Sequence, residues 1–373
     1  MKKILRIVPT LYDPDNVSPS NTGGVQIQVY KLIDALSEFV EQDVYTCNKV
    51  GFKDDNITVY GLKGSISTVK FIMFLAGVIY HLMKNKKKYG LIHIHSNGAL
   101  SPLLVGEFIY HFLNIPVIYT FHCCRNVNYI GKKIEFLTVP IMNFLEKKCI
   151  HHSKCNVFLS QYVVNELLKL GVIDDNVKYK IISDAIEEKN LINVPKVNNG
   201  IINITFIGRI HRQKGWEIFI KCARNFTDKP YIFNIYGTGP DLFKMKKMLK
   251  QYDLNNMVYH GNIPNTKVFD VINDSNVIVI PSRFEELGSI VLEAGIMKKN
   301  IVASSTGALR EILDDKRGYL VNIDDVDGFC KSIEFAINND ENTGVSLYNY
   351  IKNNYMLEQS VKKHIALYNE CMK

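Results

Sequence analysis

A chain of 373 residues is long enough to bury two separate cores, and 47% apolar with 22% charged residues is the composition of an ordinary folded protein. A formal net charge of +8 suits anionic partners but is far below that of a nucleic-acid-binding surface, so no nucleic-acid partner is expected. The eight cysteines contain no Cys-x-x-Cys pair, and the basic-then-apolar start, Met1 to Pro9, is too short for a secretory signal; a reduced, cytoplasmic compartment is expected.

Lys2–Val8 reads as a first strand. The loop over 9–24 is rich in Asp, Asn, Ser and Pro and closes on Thr22-Gly23-Gly24. Val25 to Phe39 then carries apolar residues at helical spacing. Strand, Gly-Gly turn and helix make a corner able to hold a phosphate, because glycine lets backbone amides approach an anion. A tight turn without a ligand accounts for the same residues equally well.

Val69 to Met83 is an apolar run followed at once by Lys84-Asn-Lys-Lys-Lys88. It falls short of the ~20 residues a membrane span requires. An apolar helix ending in lysines is nonetheless how a peripheral protein meets anionic lipid. Lys132-Lys133 and Lys147-Lys148 flank another amphipathic stretch in the same half. Peripheral association with an anionic membrane surface is therefore expected, although core burial and a solvated helix end explain the run as well.

Val44–Cys47, Ile57–Tyr60, Leu91–Ser96, Val117–His122, Asn156–Ser160 and Lys180–Asp184 read as strands, with helices over Leu100–Leu113 and Gln161–Leu170. The alternation implies a parallel sheet with right-handed crossovers. His122 ends its strand and points to the carboxyl edge, where such folds bind ligands. His93 and His95 alternate on one face; without a third ligand in sequence they read as polar lining rather than a metal site. Periodicity is lost from Asn190 to Gly200. A first domain is placed over residues 1–192, a linker over 193–200 and a second domain over 201–355.

Alternation restarts with strands Ile202–Ile207, Tyr231–Tyr236, Met257–His260, Asn276–Ile280 and Ile301–Ser304. Helices are expected over Lys214–Asn225, Asp241–Gln251 and Ser289–Ile296, and residues 324–373 read as helical throughout. The first of these strands ends in Gly208-Arg209, with Lys214-Gly215 on the loop beyond. Arginine forks onto two phosphate oxygens and lysine adds a compact charge, and the spacing is not that of a Walker A loop. Gly237-Thr-Gly-Pro240 also follows a strand, but Leu242 stands where a dinucleotide fingerprint has its third glycine, which weakens a hydride-transfer reading.

The most informative stretch is Pro281-Ser-Arg-Phe-Glu-Glu-Leu-Gly-Ser-Ile-Val-Leu-Glu-Ala294. A buried strand precedes it, Gly288-Ser289 supplies a flexible entry and a capping hydroxyl, and a helix follows, which is an anion site. Glu285 lies in the loop and Glu293 about one turn inside the helix. Ionised carboxylates only accept hydrogen bonds, so a sugar or ribose diol is their natural partner.

Set as Pro-Ser-x-x-Glu-x-x-Gly-x-x-x-Leu-Glu-Ala after a buried strand, and paired with Gly208-Arg209-x4-Lys214-Gly215, this stretch resembles the signature of glycosyltransferase family 4, the retaining GT-B glycosyltransferases. The resemblance implies an α/β fold of two doubly wound Rossmann-like domains facing across a cleft, with a last helix, residues 356–373, crossing back to the first. It implies a nucleotide-sugar donor, a UDP-sugar, and a saccharide acceptor, lipid-linked or at a cell-surface polysaccharide, taken by the first domain. Donor contacts would come from Gly23, Gly24, Gly208, Arg209, Lys214, Glu285, Leu287, Gly288, Ser289 and Glu293. Arg209 and Lys214 would hold the leaving diphosphate, Glu285 the sugar hydroxyls, Glu293 the ribose diol, and His122 would lie near the donor sugar. No metal or other cofactor is expected. Ser305-Thr306-Gly307 with Glu311 resembles a later glycine-rich turn with a backbone role. Two positions depart from the pattern: Glu286 stands where a small residue is common, and Asp184-Ala185 replaces an expected Asn-Gly. A small natural-product acceptor, a sugar-nucleotide epimerase of the same fold and a non-catalytic sugar-nucleotide-binding subunit are the alternative readings.

Overall fold

The structure is a computed structural model that describes residues 3–15, 23–48, 50–52, 54–61, 68–127, 139–188, 200–314, 316–338 and 343–373. The chain divides into two compact units: Met1–Asp184 with Leu357–Lys373, and Ala185–Met356.

In the first unit seven strands form one sheet: β1 (Lys3–Val8), β2 (Gln42–Thr46), β3 (Ile57–Gly61), β4 (Tyr89–Ser96), β5 (Val117–Phe121), β6 (Cys155–Phe158) and β7 (Tyr179–Ile181). Their order is β3-β2-β1-β4-β5-β6-β7, every pairing parallel, so the order reverses between β1 and β4. The crossovers are α1 (Gly24–Leu36), α2 (Thr68–Asn85), α3 (Leu100–Phe112), α4 (Val139–His152) and α5 (Gln161–Lys169). Side chains alternate across a strand. One face of β1, β4 and β5 therefore presents Leu5, Ile7, Ile92, Ile94, Tyr119 and Phe121 to a core shared with Phe74, Val78 and Leu103. The opposite face carries Ile4, Leu91 and Ile118 at its start, and farther along each strand Arg6, His93, His95, Thr120 and His122.

The second unit repeats the plan with β8 (Ile202–Ile207), β9 (Tyr231–Tyr236), β10 (Met257–Gly261), β11 (Val277–Ile280), β12 (Asn300–Ser304) and β13 (Tyr319–Val321). The order is β10-β9-β8-β11-β12-β13, again all parallel, and reverses between β8 and β11. Its helices are α6 (Trp216–Arg224), α7 (Leu242–Tyr252), α8 (Val268–Asp274), α9 (Ser289–Ile296), α10 (Gly307–Leu313), α11 (Val326–Asn338) and α12 (Thr343–Asn354). Phe206, Trp216, Phe219, Phe233 and Phe329 anchor its core, each buried side chain contributing roughly 1.5–3 kcal/mol. The four residues of β11 are all buried, as a strand covered on both faces must be.

The last helix, α13 (Leu357–Cys371), belongs to the first unit, where Val361, Leu367, Tyr368 and Cys371 join Leu32, Leu36 and Leu91 in one buried cluster. Ala185 to Glu188 go with the second unit: Ile186 bridges Met356, and the Glu188 carboxylate accepts from Tyr348 and pairs with Lys352. Of the expected linker over 193–200, residues 193–199 lie outside the described residues.

Three local expectations need correction. The helix expected from Lys214 begins at Trp216, because Arg212–Lys214 forms a 3-10 turn that ends on Gly215 in the left-handed region. Ser289 does not cap α9; Gly288 holds the cap position, at φ +82°, and Ser289 is the first helical residue. Residues 324–373 are not one continuous helical stretch but contain α11, α12 and α13, and the chain leaves α12 at Tyr355–Met356 to make the bridge to Ile186. The short elements β13, α8 and α10 span three to seven residues, too few to show a period.

Candidate active site

In the second unit, the loops after β8 and β11 emerge side by side where the strand order reverses, the position at which open parallel sheets bind ligands. Backbone hydrogen bonds hold the first loop: Gly208 N–H donates to Tyr236 O at 3.0 Å and Ile210 N–H to Thr238 O at 2.9 Å, in the Gly237–Pro240 turn. The second loop is laced to the first, with Arg283 N–H donating to Gln213 O at 2.7 Å and Gln213 Nε2 to Phe284 O at 3.1 Å. Arg283 also pairs with Glu217 at 3.1 Å and Asp324 at 2.8 Å. At Gly215, φ +66°, a Cβ would overlap the Pro281 carbonyl. At Gly307, φ +51°, one would overlap the Glu285 carbonyl, which accepts Ala308 N–H at 3.1 Å. Only glycine allows the turns at 208–215 and 305–307 to approach the 281–285 loop this closely.

This lacing brings Lys214 and Glu285 together. Glu285 is 4% exposed; its Oε1 pairs with Lys214 Nζ and accepts the Ser282 hydroxyl at 2.7 Å. Burial makes an unpaired carboxylate costly, so the lysine and the hydroxyl are what keep this charge in place. Arg209, on the same loop as Lys214, is exposed and makes no ion pair among the described residues. Glu286 and Leu287 are buried beside Glu285, Gly288 and Ser289 open α9, and Glu293 is half-buried one turn inside it. Of the expected donor residues, Gly208, Arg209, Lys214, Glu285, Leu287, Gly288, Ser289 and Glu293 thus lie on these two loops and on α9, which follows the second.

Gly23, Gly24 and His122 lie in the first unit. Gly23 caps α1 without a side-chain bond and Gly24 is its first residue, both exposed. His122, 8% exposed, follows β5; its Nε2 lies 3.1 Å from His95 Nδ1 and its Nδ1 lies 3.5 Å from Asp184 Oδ1. Behind it stands a buried polar cluster in which His93 and His95, expected as polar lining, are joined by Arg6 and by Tyr368 of α13, which the sequence reading missed. Arg6 is fully buried, with its guanidinium on Gln42 Oε1, on His93 Nδ1 and His95 Nε2, both at 3.2 Å, and on Tyr368 Oη at 2.7 Å. Burial, and after it the Arg6 charge, holds the His93 imidazole well below the usual histidine range. Burial, and after it His93, does the same for His95. His364 on α13 is pushed down to about 3, again chiefly by burial. The available signal was a lone arginine inside the apolar strand Ile4-Leu-Arg-Ile-Val8. Among the described residues, one set of metal-ligand types converges, Glu107, His111 and His152, with donor atoms within 4.8 Å of one another. His152 Nδ1 bonds Glu107 Oε1 at 2.9 Å there.

Comparison with known proteins covers both units. The family described as Glycosyltransferase Family 4 matches residues 22–180, and Glycosyl transferases group 1 matches residues 187–355. A 2-deoxystreptamine N-acetyl-D-glucosaminyltransferase of Niallia circulans is 28% identical over 350 residues, covering 85% of this chain and 89% of the relative. Among solved structures, sucrose-phosphate synthase from Thermosynechococcus elongatus superposes with a TM-score of 0.84 at 18% identity over 99% of both chains. Anabaena HepE in complex with UDP-glucose gives 0.76 at 13% identity, covering 99% of this chain and 100% of that one. With two Rossmann-like units, each matched by its own half of the family, this chain belongs to glycosyltransferase family 4 and is a glycosyltransferase of the GT-B fold.

Proposed function

We propose that this enzyme transfers a sugar from a nucleoside-diphosphate donor, a UDP-sugar, to a saccharide acceptor with retention of anomeric configuration and without a metal ion. The observation that carries the reading is the ion pair of half-buried Lys214 with buried Glu285, on the same loop as the exposed Arg209, at the switch point of the second sheet. In the transfer, the acceptor hydroxyl oxygen bonds the anomeric carbon as the bond from that carbon to the diphosphate breaks. The diphosphate leaves with the electron pair, and the hydroxyl proton goes with it. Arg209, Lys214 and the amides opening α9 at Gly288 and Ser289 neutralise the growing charge, which is the work a divalent ion does elsewhere. Glu285 accepts from sugar hydroxyls and Glu293 from the ribose diol. In the first unit, Gly23 and Gly24 offer amides to an anion, and His122 meets a substrate hydroxyl. Retention rests on the family resemblance of the Glu285–Glu293 stretch.

Calorimetry with UDP and UDP-glucose tests these roles. Glu293→Gln is expected to weaken both ligands alike. Glu285→Gln is expected to weaken UDP-glucose at least tenfold, the scale of one charged hydrogen bond of about 1.5–3 kcal/mol, and to spare UDP, because it also releases Lys214 for the phosphates. Equal losses on both ligands in Glu285→Gln would remove that carboxylate from the sugar.

For the acceptor, a lipid-linked saccharide or growing cell-surface polysaccharide met at the cytoplasmic face of a membrane is the reading we favour. Among the described residues no helix is long and apolar enough to cross a membrane. However, α2 exposes Ile72, Met73, Tyr80 and Met83, and α4 exposes Ile141 and Phe144. Lys84, Lys86, Lys87, Lys88, Lys147 and Lys148 are exposed on the same unit, each worth roughly 1 kcal/mol near an anionic surface. Lys132 and Lys133 lie outside the described residues. The chain is expected to sediment with anionic but not neutral vesicles at low salt and to be released at high salt. Failure to bind anionic vesicles at low salt favours instead a small aminocyclitol acceptor of the kind named by the Niallia circulans relative.

A further inference from the structure

We propose that Arg6, acting through His95, locks His122 in the tautomer that carries its proton on Nδ1, so that His122 serves the reaction as a hydrogen-bond donor and not as a general base. The assignment follows from one end of the chain of bonds. A guanidinium has donors and no acceptor. Arg6 Nη1 lies 3.2 Å from His93 Nδ1 and 3.2 Å from His95 Nε2, so both of those nitrogens accept. A neutral imidazole that accepts at one nitrogen holds its proton on the other. His95 therefore donates from Nδ1, and the group 3.1 Å away, His122 Nε2, must accept. The only proton of His122 is then on Nδ1, facing Asp184 Oδ1 at 3.5 Å.

The neighbouring bonds are consistent with this order. His93, accepting at Nδ1, donates from Nε2 to Thr120 Oγ1 at 2.7 Å. Tyr368 accepts from Arg6 Nη2 and turns its own proton to His93 Nδ1 at 2.9 Å. A proton on either inner histidine would set a second positive charge against a fully buried guanidinium. Arg6, His93, His95 and His122 thus share one buried file on one face of β1, β4 and β5, running from a fixed cation to the carboxylate of Asp184.

His122 accordingly has no free lone pair with which to take a proton. Its Nδ1 is buried and makes no hydrogen bond among the described residues. A substrate hydroxyl that entered between it and Asp184, parting the two side chains from their 3.5 Å approach, would accept from the imidazole and donate to the carboxylate. Asp184, which stands where the family pattern has asparagine, suits that use because an ionised carboxylate only accepts. Arg6 and His95 are positioning residues. The catalytic half of this proposal rests on the reading that His122 meets substrate; the tautomer does not.

Ten histidines make selective nitrogen-15 labelling of the full chain practicable, with His122→Asn identifying the His122 signals. In the wild type, two-bond nitrogen–proton correlations are expected to show His95 and His122 protonated on Nδ1 and His93 on Nε2. His95→Phe keeps a ring but removes the donor, and is expected to shift His122 to a mixture of tautomers. It should also lower kcat by roughly 10- to 100-fold with little change in KM, the loss typical when an orienting partner is removed. His95→Gln, with a carbonyl for Arg6 and an amide for His122, is expected to keep the Nδ1–H form and most of the rate. A wild-type His122 protonated on Nε2, or on both nitrogens at neutral pH, overturns the lock, as does an unshifted His122 in His95→Phe. A shifted tautomer with unchanged kcat overturns the catalytic half. These spectra need no substrate, so failure of the wild type to turn over UDP-sugars sinks the donor assignment and leaves the tautomer result standing.

Discussion

Replacing Arg209 by alanine is expected to lower kcat on the order of 10²- to 10³-fold, roughly 3–4 kcal/mol, while the melting temperature stays where it was. The guanidinium is exposed and makes no ion pair among the described residues, so its removal leaves no buried group without a partner. It holds the diphosphate most strongly as charge develops on departure, and such a contact is lost from kcat rather than from binding alone. Lys214→Ala is expected to match the kinetic loss but also to melt earlier. It strips the cation from Glu285, which is 4% exposed and would keep only the Ser282 hydroxyl as a named partner. Steady-state rates under saturating UDP-sugar, with melting curves alongside, separate the two. Near-normal rates in both variants would end the diphosphate assignment.

Gly215→Ala is expected to cost roughly 2–5 kcal/mol of stability, combining the left-handed backbone penalty of an L-residue with overpacking. Gly215 sits at φ +66° and ψ +27°, with the Pro281 carbonyl oxygen in the place of the missing Cβ. The new methyl group must push the two site loops apart, loosening both the Arg283–Gln213 bond and the Lys214–Glu285 pair. Turnover should therefore fall with stability, and denaturant melts together with donor affinity measure the two losses. A variant as stable as the wild type would show that the loops do not need this close approach.

The strand and helix alternation was legible in the sequence because it is local. Val277–Ile280 is apolar throughout since both its faces are covered, and α9 follows a glycine turn. The placement of the Arg209–Lys214 and Glu285–Glu293 motifs was legible for the same reason: each is one loop and one helix start, and their residue types are what the proposed chemistry is argued from. Where local cues failed, competing backbone geometry was the cause. Gly215 delays α6 by two residues, and Gly288 takes the cap that Ser289 was expected to fill. Tertiary structure alone decided which motif residues meet. Lys214 and Glu285 are 71 residues apart in sequence, and only the adjacency of β8 and β11 makes them an ion pair. Arg6 and Tyr368 are 362 residues apart, and α13 must lie on the first sheet before that bond can form. A single strand can announce that His93 and His95 share a face, since side chains alternate along it. That a buried arginine fills the space beside them, and thereby sets where the proton on His122 resides, depends on β1 lying next to β4, a pairing set by the packing of the whole sheet.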